Sequence, residues 1–168
     1  MSNFKEISAK ELSDNPFQLI GDEWMLVTAT SNNRTNTMTA SWGGLGFMWK
    51  KDVAFIVIRP QRYTKEFIDN SDTLSLSFFD SSFKKKLSYL GTVSGRDEDK
   101  IANSGLTLNT SDDAPYFEEA RLVLECKKLF SQPMEADSFL DEDIIKTWYP
   151  DSDYHTLYIV EITKALTK

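Results

Sequence analysis

A chain of 168 residues, 40% apolar and 27% charged, has the make-up of an ordinary globular protein and is long enough to bury a real core; it reads as one domain, 1–168. A net charge of −7 argues against a general nucleic-acid binder, which displaces counterions with basic surface. One cysteine, Cys126, and one histidine, His155, exclude an intramolecular disulfide and a Cys/His metal site, so no metal is expected.

The first residues, MSNFKEISAKEL, carry no apolar signal core, and no run approaches the roughly 18 apolar residues of a membrane span. A cytoplasmic protein with no membrane partner is the expectation. Ser8 and Glu11 form a capping box flanked by Ile7 and Leu12, which predicts a short first helix. Asn15-Pro16 interrupts it, and 17–20 makes a further turn ending at Gly21. Residues 24–30 (WMLVTAT) read as a strand, 31–34 (SNNR) as a turn, and 35–41 as the return strand of a hairpin. WGGLG at 42–46 breaks the pattern, FMW at 47–49 is a short apolar piece, and KKD at 50–52 is a turn. Residues 53–59 (VAFIVIR), apolar on both faces, predict a central strand that Pro60 ends.

Thr64 then caps a helix over 65–70, with Glu66 in its first turn. Another strand covers 73–79 (TLSLSFF). Asp80 or Ser81 caps a helix through Leu90, with Gly91 just past its end; Asp97 caps 98–103, stopped at Gly105. A long strand at 121–130, an acidic and partly helical excursion at 137–149, and a strand at 154–165 follow. Six or seven strands with short inserted helices, and no βα alternation or repeat, predict a mainly β fold: a closed or nearly closed antiparallel barrel.

The stretch 36–64 reads as a cradle for a flat, phosphate-bearing cofactor. Thr39, Ala40, Ser41 and Trp42 offer donors, an open backbone and an aromatic face to a planar ring. Arg59, Gln61, Arg62, Tyr63 and Thr64, followed at once by a helix start, offer cations and hydroxyls to a phosphate. The same residues fit plainer readings: Trp42 in the core, and Arg59 and Arg62 paired with surface carboxylates. Gly43, Gly44 and Gly46 lack the spacing and following helix of a dinucleotide fingerprint.

NTMTASW, KKDVAFIVIRPQRYTKEFI, TLSLSFF and GTVSGRDEDK, with the later EARLVLECKKLF and HTLYIVEI, resemble the flavin reductase-like FMN-binding split-barrel family, and more closely its flavoredoxin-type branch. The resemblance implies a homodimeric, six-stranded antiparallel Greek-key split β-barrel holding FMN near the subunit interface. It implies that Thr39, Ala40, Ser41 and Trp42 line the ring, and that Arg59, Gln61, Arg62, Tyr63 and Thr64 meet the ribityl phosphate. Ser94, Gly95, Arg96 and Lys100 fall in a loop and helix start that the family places near the cofactor. His155 precedes the last strand, as a flavin-side histidine does in related reductases; a strand-edge histidine is the plainer reading. An imidazole titrating near neutrality would serve there in proton exchange.

Two functions follow from the resemblance. One is an FMN-dependent oxidoreductase that takes hydride from NAD(P)H to the flavin N5 and passes electrons to a protein or small-molecule acceptor. The other is a flavoredoxin-like electron carrier without its own NAD(P)H reductase activity. A barrel that kept the fold without the flavin is a third. The segment before SGRD reads Gly91-Thr-Val-Ser94, where relatives often carry Cys-Gly or His, which leaves the acceptor open. Cys126 alternates with core positions and reads as a buried, inert thiol. Lys84, Lys85 and Lys86 read as a solvated helix face.

Overall fold

The computed structural model of this chain describes residues 3–110 and 113–168. Ten strands form: β1 Lys5–Ile7, β2 Met25–Ser31, β3 Arg34–Ala40, β4 Gly43–Met48, β5 Lys51–Ile58, β6 Thr73–Phe78, β7 Leu108–Asn109, β8 Tyr116–Phe117, β9 Leu122–Pro133 and β10 Thr156–Thr167. Five α-helices lie between them: α1 Pro16–Gly21, α2 Tyr63–Asp69, α3 Lys84–Thr92, α4 Lys100–Ser104 and α5 Glu142–Trp148.

One antiparallel sheet runs in the order β3-β2-β6-β9-β10-β5-β4, and β1 adds to β10. The two 12-residue strands, β9 and β10, are its spine. On the edge away from β9, β10 serves two partners: residues 156–161 pair with β5, and 165–167 pair with β1. Register shifts at Ile159/Val160 and Ile162/Lys164 let this spine bend. The six runs read as strands from the sequence all form; β1 and β4 add to this sheet, and β7 and β8 pair apart from it.

Alternation along the strands divides the interior in two. Val27, Ile56, Ile58, Leu76, Leu124 and Tyr158 point into one core, closed by Leu19 and Ile20 of α1 and by Phe67 and Ile68 of α2. Leu26, Val123 and Leu166 point into the other, beneath Phe79, Leu87, Leu90 and Phe117. Each fully buried side chain of this size contributes about 1.5–3 kcal/mol relative to exposure.

Local chemistry explains most boundaries and corrects several. The capping box forms, with the Ser8 amide donating to Glu11 Oε2 at 2.7 Å, but it closes only one 3-10 turn, Ala9–Glu11. Asn32 and Asn33, at φ 51° and 61°, make a two-residue hairpin turn narrower than the expected 31–34. The break expected at 42–46 is instead the start of β4, which pairs with β5 from Gly43↔Ile56 to Met48↔Lys51. Glycine hid this strand from its composition, and glycine permits it. Gly43 sits at φ 144°, and a Cβ there would lie 2.3 Å from the Phe55 carbonyl oxygen.

Thr64 is not a cap: α2 begins one residue earlier, and Thr64 is buried inside it, accepting from Asn36 Nδ2 at 2.9 Å. Gly91 lies within the last turn of α3 rather than beyond it. Asp99, not Asp97, caps α4, accepting from the Ala102 amide at 3.1 Å, and Gly105 ends it at φ 72°. Lys84 and Lys86 are not merely solvated. Lys84 lies over the Trp24 ring at 3.4 Å, and Lys86 donates to the Ser104 carbonyl at 2.5 Å. Cys126 is buried, and burial pushes its thiol pKa far up, so it stays protonated. Among the described residues no helix is long and apolar enough to cross a membrane.

Candidate functional site

The end of β3, the corner into β4, the end of β5, the C-terminus of α5 and the start of β10 converge on one cleft. It has a volume of about 370 Å³ and is lined by Met38, Thr39, Ala40, Ser41, Trp42, Val57, Arg59, Arg62, Trp148 and His155. Small-molecule sites span roughly 300–1,000 Å³. Trp42 is a wall of this cleft and not a core residue: it is 39% exposed, meets the Trp148 ring edge-on at 5.0 Å and the His155 ring at 5.1 Å. Behind it, Thr39 Oγ1 donates to the Leu87 carbonyl of α3 at 2.5 Å. Gly91 permits that approach, since a Cβ there would sit 3.0 Å from Thr39 Cβ.

A second recess of about 180 Å³ adjoins through Arg62. It is lined by Gln61, Arg62, Tyr63, Thr64, Ser94 and Lys100, with Thr92 and Val93. Two cations meet here. Lys100 is 3% exposed and donates only to carbonyls, Leu90 at 2.9 Å and Val93 at 3.1 Å. Arg62 Nη1 donates to the Gly91 carbonyl at 3.1 Å, while its Nη2 is buried with no hydrogen-bond partner. Among the described residues neither side chain makes an ion pair. Burial, with the Arg62 charge beside it, lowers the Lys100 pKa to about 8, partly opposed by Glu98. The carbonyls at the C-terminus of α3 offset part of the burden of holding two cations out of water. The remainder, and the orphan donor, call for an anion with acceptor oxygens.

Tyr63 and Thr64 also line this recess, whereas the Arg59 and Gln61 side chains turn to Asp153. Arg59 Nη1 pairs with Asp153 Oδ2 at 2.9 Å, and its Nη2 donates to the Trp148 carbonyl at 2.8 Å. Gln61 Nε2 donates to the same Asp153 oxygen at 2.7 Å. Of the two arginines, then, Arg59 has a carboxylate partner and Arg62 has none. Gly95 and Arg96 line neither recess; they face a third hollow of about 360 Å³ with Arg34, Asn36 and Tyr63. Arg96 pairs with Glu66 at 2.5 Å and lies over the Tyr63 ring at 4.4 Å. Ser94 Oγ accepts from the Arg96 amide at 3.2 Å, which shapes the loop.

His155 is neither at the surface nor poised near neutrality. It is 7% exposed, and its Nδ1 is 2.6 Å from the Tyr149 hydroxyl. Burial first, then the Arg59 charge, lowers its pKa to about 4 against the opposing Asp153, so the ring is neutral at pH 7. Trp148, Tyr149 and Asp153 were not singled out from the sequence. The aromatic density of TWYPDSDYH is the one signal in the sequence that points to them.

A family model described as a flavin reductase like domain matches residues 18–168. The structure is similar to that of an FMN-binding domain of a flavin reductases-like enzyme from Shewanella baltica OS155, with a TM-score of 0.71 at 19% identity, covering 99% of this chain and 78% of that one. The flavoredoxin of Methanosarcina acetivorans gives 0.67 at 23% identity, over 87% and 68% of the two chains. The flavoredoxin of Desulfovibrio vulgaris (Miyazaki F) gives 0.67 at 23%, over 98% and 76%. At these identities the likeness is one of fold. A search of curated proteins returned no match.

Proposed function

The chain belongs to the flavin reductase like domain family, and from that premise we propose that it binds FMN and acts as an oxidoreductase. The ring would occupy the cleft lined by Trp42 and His155, and the phosphate the recess of Arg62 and Lys100. The observation that carries this reading is the buried, unpartnered Nη2 of Arg62 beside a second buried cation. A phosphate dianion matches both the charge and the missing acceptor, so the residues fit the group. FMN, when bound, supplies a ring that accepts hydride from NAD(P)H and passes electrons onward.

The chain's own residues bind and orient. Arg62 and Lys100 fix the anionic end. Ala40 and Ser41 line the ring cleft at the close of β3 and would offer backbone and hydroxyl groups to the ring. Thr39 acts from behind, because its hydroxyl is engaged by Leu87. His155, neutral at pH 7, keeps that side of the cleft uncharged and is not an imidazolium acid. The catalytic contribution is therefore position and electrostatics, with no protein acid required.

Titration of the apoprotein with FMN, followed by quenching of flavin fluorescence, tests the binding. Arg62→Ala should weaken FMN at least tenfold, about 1.4 kcal/mol, and leave riboflavin binding nearly unchanged. Equal affinity of Arg62→Ala and the parent for FMN would remove the phosphate assignment. Anaerobic mixing with NADH and with NADPH then tests the reaction. Loss of flavin absorbance supports the reductase, and reduction by dithionite alone makes the protein a carrier.

A further inference from the structure

We propose that Arg59 is the catch of a movable arm and not a phosphate ligand, and that the arm, residues 134–155, carries Trp148 across the ring cleft as a gate for a second flat aromatic molecule. The proposal rests on reading the cleft as a flavin site.

The arm is the connection from β9 to β10. Apart from one 3-10 turn and α5 it has no regular structure. Connections this long in compact folds are commonly functional. α5 buries none of its side chains, and Leu140 and Ile144 on the arm are 100% and 41% exposed. Packing therefore does little to hold the helix, and weakly packed segments open at small cost.

What holds the arm lies at the end of α5 and just beyond it. The Arg59 guanidinium takes the Trp148 carbonyl at 2.8 Å and the Asp153 carboxylate at 2.9 Å, and lies over the Tyr149 ring at 5.0 Å. Gln61 takes Asp153 as well, at 2.7 Å. Asp153 thus neutralises Arg59, which has little net charge left to offer a phosphate, in contrast to Arg62. The catch sets the place of Trp148. Its ring, 50% exposed, closes on Trp42 at 5.0 Å across the cleft. A second ring stacking in that cleft must part this pair. The closed arm therefore competes with the incoming molecule, and weakening the catch tightens its binding.

Arg59→Met and Asp153→Asn test the catch, each beside Arg62→Ala. Hydrogen exchange of the apoprotein, read by mass spectrometry, should be at least tenfold faster over residues 136–153 in both catch variants and unchanged in the sheet. FMN affinity of both should equal or exceed that of the parent, because the closed arm competes with the flavin ring as well, while Arg62→Ala loses it. The FMN-loaded proteins are then titrated with a simple phenol, followed by the flavin absorbance; the catch variants should bind it at least threefold tighter. Unchanged exchange, or an FMN loss in Arg59→Met equal to that of Arg62→Ala, overturns the catch. An unshifted phenol midpoint, or no spectral response from any protein, overturns the gate. If the parent itself takes no FMN, the cofactor reading falls, and the exchange data alone decide the catch. Asp153→Asn keeps the test intact should Arg59→Met fail to fold.

Discussion

Lys100 shows how a site can be prepared for an anion at the expense of the free protein. Its folded pKa of about 8 lies below the ordinary value near 10.5, because burial disfavours the charged form. Between those two values the unfolded chain holds a proton that the folded chain has released. Stability of the ligand-free protein therefore rises with pH across that window, by up to about 3 kcal/mol. Anion affinity moves the opposite way. A phosphate needs the ammonium form, so FMN binding should weaken steadily as pH rises above about 8. Lys100→Met should bind FMN more weakly at pH 7 and lose most of that pH dependence. Fluorescence titrations over about pH 6.5–9.5 measure both; an equally steep profile in Lys100→Met would mean that another group titrates. At this scale the sequence was readable in residue types. RPQRYT offered cations and hydroxyls for a phosphate, while the resemblance alone brought SGRDEDK near the cofactor. The sequence did not tell Arg59 from Arg62, because the partner that separates them, Asp153, lies 94 residues from Arg59 along the chain.

Among the elements, the corner from β3 into β4 has the least room. Gly43 lies at φ 144°, outside the range of L side chains, and its missing Cβ would strike the Phe55 carbonyl oxygen at 2.3 Å. The neighbouring Trp42 depends on this corner for its place in the cleft wall. Gly43→Ala should destabilise the protein by about 2–4 kcal/mol and change the near-ultraviolet tryptophan signal. Thermal melts and circular dichroism check this; a stability loss below about 0.5 kcal/mol would show that the corner adjusts freely. Strands with β-branched runs, such as β2 and β5, were legible from their pattern, as were the capping box and the Asn32-Asn33 turn. β4 was not, because three of its six residues are glycine and its pairing with β5 comes from close backbone approach, not side-chain pattern. The arm was not legible either: its contacts to Arg59, Trp42 and Gln61 join segments about ninety to a hundred residues apart.

For the whole molecule, one surface is too apolar for a protein of net charge −7. Phe47 and Trp49 at the tip of the β4–β5 hairpin are 63% and 51% exposed, and Phe130 of β9 is 40% exposed, 6.4 Å from Trp49. Clustered aromatics of this kind mark contact surfaces. We propose that a second copy of the chain covers them. Sedimentation velocity at tens of micromolar should give a two-chain species, and Phe47→Ser with Trp49→Ser should give one folded chain with a lower melting temperature that no longer depends on concentration. A single-chain parent protein under those conditions would remove the proposal.

The last turn of α3 has a consequence of its own. Thr39, behind the ring wall, rests on the Leu87 carbonyl; Lys100 rests on Leu90 and Val93, and Arg62 on Gly91. Both ends of the binding groove are therefore pinned to one short rod, at neighbouring rungs. If that rod shifts, both ends travel together and their spacing is preserved. A ligand that reached both ends would meet a spacing set by this rod.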